Sequence, residues 1–202
     1  MAVFPFEFRP QDPRFRPGGP ARRGSHSRGG FSLLEVMAAI SILAVGCGAV
    51  IQSIVSANRA LRFAEERWQA LESAENVVEA LQAETFEEVF ARYDSNAAND
   101  PPGDSPGANF AVLGLRPQTG DADGLPGAVE FPGNGVKLLE NVVDAELGMP
   151  RDLNGDLAAP DGNDHSGDYS ILPVRVRVRW DGVRGASEIV LVTTLTSRGA
   201  AP

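Results

Sequence analysis

Between Phe31 and Pro101 the chain has no proline, and between Gly48 and Gly103 it has no glycine. Nothing in that stretch forces a break in a helix. Its first part, Phe31 through Ile54, is 24 residues long and carries a single charge, Glu35. As a helix it is about 36 Å long, enough to cross a hydrocarbon core of about 30 Å. Residues 58–92 turn to Ala, Glu, Leu, Arg and Gln. There Leu61, Ala64, Trp68, Leu71, Ala74, Val78 and Leu81 recur at spacings of three and four, an amphipathic stripe. The pattern predicts one helix from Phe31 to about Arg92, about 93 Å long. Residues 31–57 form its membrane half, apolar all round. Residues 58–92 form its amphipathic continuation, with Trp68 on the core face.

Residues 93–202 read differently. "NAANDPPGDSPGANF" and "TGDADGLPG" are turn-rich loops. "AVEF" and "VKLLENVV" flank Pro132-Gly133-Asn134-Gly135, a pattern for a hairpin. In "ILPVRVRVRW", Leu172, Val174, Val176, Val178 and Trp180 alternate with Arg175, Arg177 and Arg179, and "EIVLVTTLT" follows after a short loop. Such alternation predicts an antiparallel hairpin with one buried face. The expected class is α+β: a long N-terminal helix packed against a small antiparallel sheet, a helical stick with a folded head.

Charge is unevenly spread. Residues 1–30 hold six arginines against Glu7 and Asp12, a net of +4, and the remaining chain carries -13. So acidic a body argues against nucleic-acid binding, which needs basic surface. The proline-, glycine- and arginine-rich residues 1–30 lack apolar periodicity and read as disordered. A single cysteine, Cys47, excludes an intrachain disulfide and, lying in the apolar run, reads as a buried, inert thiol.

Glu35 decides between three readings of the N-terminus. A secretory signal cut after Val55-Ser56-Ala57 is one, but the apolar segment is long for it and the acid intrudes at its start. An uncleaved signal anchor with residues 1–30 in the cytoplasm is the second. In the third, cleavage falls between Gly30 and Phe31. An isolated carboxylate in hydrocarbon is expensive and needs a partner. A new α-amine at Phe31, its own or a neighbouring subunit's, supplies one, and a helix N-terminus favours the negative charge.

"GG/FSLLEVMAAISILAVG" resembles the prepilin leader and helix motif: glycine before the cut, an aromatic after it, and glutamate at the fifth mature position. Here these are Gly30, Phe31 and Glu35. Leu33-Leu34-Glu35-Val36 and, more weakly, the C-terminal hairpin are similar to minor type IV pilins and the minor pseudopilins of type II secretion. The strong likeness covers about residues 28–55 and leaves the middle of the chain uncovered. It implies a structural subunit of the bacterial inner membrane, not an enzyme. Residues 1–30 would be a cytoplasmic leader removed by prepilin peptidase, which also methylates the Phe31 amine. The acidic head would be periplasmic. Partners would be membrane lipid, an inner-membrane assembly platform and other pilin or pseudopilin subunits, in a pilus or secretion pseudopilus. Three departures point from a major pilin to a minor subunit or qualify the match: a long proline-rich leader, no mid-helix proline, and no C-terminal disulfide. The other class open to the chain is a single-pass anchored periplasmic binding domain that never polymerises.

Further residues have two readings each. Asp152, Asn154 and Asp156 occupy the first, third and fifth positions of an EF-hand-like loop, but Leu157 stands where glycine is expected and Asn163 where glutamate is. Asp161 and Asp164 could supply the missing oxygens for calcium, which some pseudopilins bind in a comparable region; a solvated acidic loop fits equally. Gly46 and Gly48 suit close helix packing or plain tolerance in a membrane helix. The arginine row reads as a solvated or subunit-facing strand surface rather than a phosphate site. His165, Ser166 and Asp168 name a catalytic set only by residue type, since a triad is defined by geometry.

Overall fold

The computed structural model describes residues 30–103 and 105–197. The leader expected over residues 1–30 lies outside the described residues except for Gly30. The described residues divide into two compact units between Gly48 and Ala49.

The first unit holds the start of α1 (Leu33–Ala83). The helix opens with the Val36 N–H donating to the Ser32 carbonyl. Residues 30–48 are exposed throughout. Ser41 returns its hydroxyl to the Met37 carbonyl at 2.8 Å, so the one hydroxyl within the helical part of this segment is satisfied internally. Cys47 is exposed rather than buried, because nothing in the described chain packs over this part of α1.

The second unit holds the rest of α1, the short α2 (Phe86–Tyr93) and an antiparallel sheet. The strands are β1 (Asn109–Phe110), β2 (Gly127–Glu130), β3 (Ile171–Gly182) and β4 (Gly185–Thr196), in spatial order β1-β2-β3-β4. The alternation in β3 is expressed as expected: Leu172, Val174, Val176, Val178 and Trp180 are fully buried. They share one core with Ala70, Ala74 and Leu81 of α1 and Val89, Phe90 and Tyr93 of α2. The class is therefore α+β, a long N-terminal helix packed on a small antiparallel sheet.

The β3-β4 turn is clamped to α1. Glu66 accepts hydrogen bonds from the Val183 N–H at 3.2 Å and from Trp180 Nε1 at 3.5 Å, and Arg184 lies over the Phe63 ring, 4.4 Å from its centroid. Gly182 leaves room for this clamp, because a Cβ there would displace the Glu66 carboxylate and fall 2.8 Å from Trp180 Nε1.

Three local expectations are corrected. First, the helix does not run unbroken to Arg92. It ends at Ala83, Thr85 takes extended backbone angles, and α2 follows. Helical geometry supplies the reason: at 100° per residue, Phe86, Val89, Phe90 and Tyr93 on a straight helix would face about 130° away from Ala70, Ala74 and Leu81. A break lets both sets reach one core. Second, Trp68 and Leu61 are exposed, at 67% and 68%. The stripe takes 20 residues for its six steps from Leu61 to Leu81, about 160° short of six full turns at 100° per residue, so it winds around the helix and leaves Trp68 and Leu61 about 140–160° from the buried face. Third, "AVEF" does not pair with residues 136–143. Instead β2 lies between β1 and β3, with Val129 opposite Val176 and Glu130 opposite Arg175. The Pro132–Gly135 turn closes tightly: Asn134 Oδ1 accepts from the Val136 and Lys137 N–H groups, leaving a single bridge from Gly133 to Leu138.

Candidate functional site

Two places hold the residues singled out by the sequence. The first is the start of α1. Gly30 and Phe31 precede the helix and are exposed, Phe31 at 81%. Glu35 sits in the first helical turn. Among the described residues it has no ion pair or hydrogen-bond partner from its side chain. A Cβ at Gly46 or Gly48 would meet nothing within 4 Å, so no contact among the described residues demands either glycine. By length and composition α1 is sufficient to cross a membrane, and its apolar window is wholly unburied.

The second place is the pair of loops between β2 and β3. The five oxygen-bearing residues proposed for calcium lie here, and each accepts hydrogen bonds from backbone N–H groups. Asp152 folds its own turn, accepting from the Gly155 N–H at 2.6 Å and the Leu157 N–H at 2.8 Å. Asn154 accepts from the Asp156 N–H, and Asp156 from the Ala158 N–H at 2.7 Å. Asp164 accepts from Leu138 and Ser166 N–H groups.

Asp161 instead joins two residues outside that set. Its Oδ1 lies 3.1 Å from His165 Nε2, and Glu140 Oε2 lies 3.8 Å from the same nitrogen. Ligand atoms of Glu140, Asp161 and His165 all fall within 4.8 Å of one another, a cluster that could coordinate a divalent ion. Glu140 and His165 are buried and Asp161 is exposed, so the cluster opens to solvent on one side. Burial alone would lower the His165 pKa, but hydrogen bonds to Asp161 and Asp168 and the Glu140 charge outweigh it and raise the imidazole above its usual value. Asp161 is held below the ordinary carboxyl range, first by the Asn163 N–H and then by His165.

Sequence reasoning missed Glu140. The signal was present: it is the lone acid in Leu138-Leu139-Glu140-Asn141-Val142-Val143, the same anomaly that drew attention to Glu35. Of the nominal catalytic set, His165 Nδ1 does meet Asp168 Oδ1 at 3.1 Å, while Ser166 contributes its N–H to Asp164 and no hydroxyl to His165. The arginine row is largely neutralised. Arg175 binds Glu130, Asp144 and Glu146, and Arg177 binds Glu130 and Glu188, which leaves these two little capacity for phosphate.

A family profile described as the prokaryotic N-terminal methylation motif matches residues 25–51. The chain thus carries a prepilin-type methylation motif, and Gly30, Phe31 and Glu35 all lie inside it. No curated protein and no solved structure matches the chain.

Proposed function

We infer that the chain is a minor type IV pilin or a type II secretion pseudopilin, a structural subunit rather than an enzyme. Prepilin peptidase cuts between Gly30 and Phe31 and methylates the Phe31 amine. The apolar part of α1 sits in the bacterial inner membrane with the C-terminal domain in the periplasm, and an assembly platform passes the subunit into a pilus or pseudopilus. The observation that carries this reading is the coincidence of the methylation motif with an unburied, membrane-length helix beginning at Leu33. Two further features support it. Glu35 has no partner among the described residues, as expected of a group whose partner is another subunit's amine. Leu61 and Trp68 face away from the core, where a neighbouring helix can cover them.

N-terminal sequencing and intact mass of the protein from membranes test the reading. The expected chain starts at a methylated Phe31, and Gly30→Leu blocks the cut because a side chain occupies the peptidase's glycine position. A chain starting at Asn58 would indicate an ordinary secretory signal. An uncut chain would indicate a single-pass anchored domain that does not polymerise.

A further inference from the structure

We propose that Glu140, Asp161 and His165 form a binding site for a divalent transition metal of borderline softness, with zinc the best fit. This goes beyond the assembly reading and does not depend on it.

The donor atoms are held before any ion arrives. Glu140 is 3% exposed. Its Oε1 accepts from the Leu153 N–H at 2.6 Å and the Asn154 N–H at 3.3 Å, which fixes the carboxylate plane. Its Oε2 is turned toward His165 Nε2 and, among the described residues, accepts no hydrogen bond. The two loop segments are tied to each other through backbone: the His165 N–H donates to the Leu138 carbonyl at 2.9 Å, and the Asn141 N–H to the Asp161 carbonyl at 3.0 Å. The backbones that carry His165 and Asp161 are thereby held beside that of Glu140.

The histidine is oriented from behind. Asp168 Oδ1 lies 3.1 Å from Nδ1; with the Nδ1 proton donated to it, Nε2 presents a lone pair to the cluster once a metal displaces its own proton. Three acceptor atoms then converge: Nε2, Asp161 Oδ1 and Glu140 Oε2. A proton on Nε2 satisfies only Asp161, because Glu140 at 3.8 Å is beyond hydrogen-bond length. One cation among the three reaches all of them. A tetrahedral zinc site with bonds of about 2.0–2.2 Å places neighbouring ligands about 3.3–3.6 Å apart, between the two observed separations.

Donor chemistry selects the metal. Calcium takes six to eight oxygens, and magnesium keeps octahedral oxygen ligation. A site with an imidazole nitrogen and two carboxylates suits zinc and its first-row neighbours. Two carboxylates and a neutral imidazole carry a charge of about -2, which a divalent ion cancels. The exposed Asp161 gives the ion a way in and leaves room for water as a fourth ligand.

The test uses the full chain in detergent, stripped with chelator and re-equilibrated with zinc. Metal retained after desalting is expected at about one zinc per chain. At the same free zinc, Asp161→Asn and His165→Gln each retain less than about a tenth of that. Asp168→Asn, which frees Nδ1, weakens binding about 10–100-fold. A hundredfold excess of calcium does not displace the zinc. Because His165 is buried and its variant could misfold, Asp161→Asn decides: its side chain is half exposed and its far-ultraviolet spectrum should match wild type. No retained zinc, equal retention by Asp161→Asn, or displacement by calcium would each overturn the assignment. The last result would make the site one for calcium rather than for a transition metal.

Discussion

Glu35 and Glu140 are each the lone acid in an apolar stretch, and their surroundings give them different work. Glu140 is buried inside the domain, where two N–H groups and a histidine compensate its charge. Glu35 finds nothing comparable among the described residues, and on the proposed reading its partner is intermolecular. Helices in lipid gain little from apolar contact alone, since lipid offers the same contact. A charge pair sets their register, because a helix displaced by one residue leaves both charges unpaired. Breaking such a pair in a protein interior costs about 3–5 kcal/mol. Glu35→Ala is therefore expected to leave cleavage at Gly30 and folding of the domain intact while lowering cross-linking to partner subunits. Equal cross-linking would assign the acid to peptidase recognition or to methylation of its own N-terminus.

At the scale of elements, α2 depends on one distant side chain. The Tyr169 hydroxyl donates to the Phe86 carbonyl at 2.6 Å and accepts from the Phe90 N–H at 3.4 Å, and its ring tilts against Phe86 with centroids 5.0 Å apart. Tyr169→Phe is expected to keep the ring contact and lose about 0.5–1.5 kcal/mol, read by urea unfolding at pH 8. The wild-type contribution also has a pH signature. Burial pushes the Tyr169 phenol up from about 10 to about 12. The native state thus holds the proton that the unfolded chain releases. This contribution is complete below pH 10 and is lost as pH rises through 12. The variant should lack that part of the alkaline slope. Equal slopes in the two proteins would mean that Tyr169 titrates alike in both states.

Over the whole molecule, the proposed function makes the core and the assembly surface separate faces of α1. Trp68→Ala removes a large side chain that touches no core, so unfolding free energy should change by less than about 0.5 kcal/mol while co-purification with partner subunits falls. Leu172→Ala, from the fully buried face of β3, should instead cost about 2–5 kcal/mol. Reversal of these two results would place the buried face of α1 at Trp68 after all.

Local order was legible in the residues alone. The membrane-length helix, the prepilin motif at Gly30, Phe31 and Glu35, and the β3-β4 hairpin are written in neighbouring residues, because composition over 24 positions and alternation over ten need no distant partner. Phase and convergence were not. Whether Trp68 or Ala70 faces the sheet depends on where the sheet sits on a helix that is apolar on more than one side. The break after Ala83 answers to a core that Phe90 must share with Val174. The Glu140, Asp161 and His165 cluster unites positions up to 25 residues apart, drawn together by backbone hydrogen bonds from His165 to Leu138 and from Asn141 to Asp161, and only the folded chain brings those groups within reach.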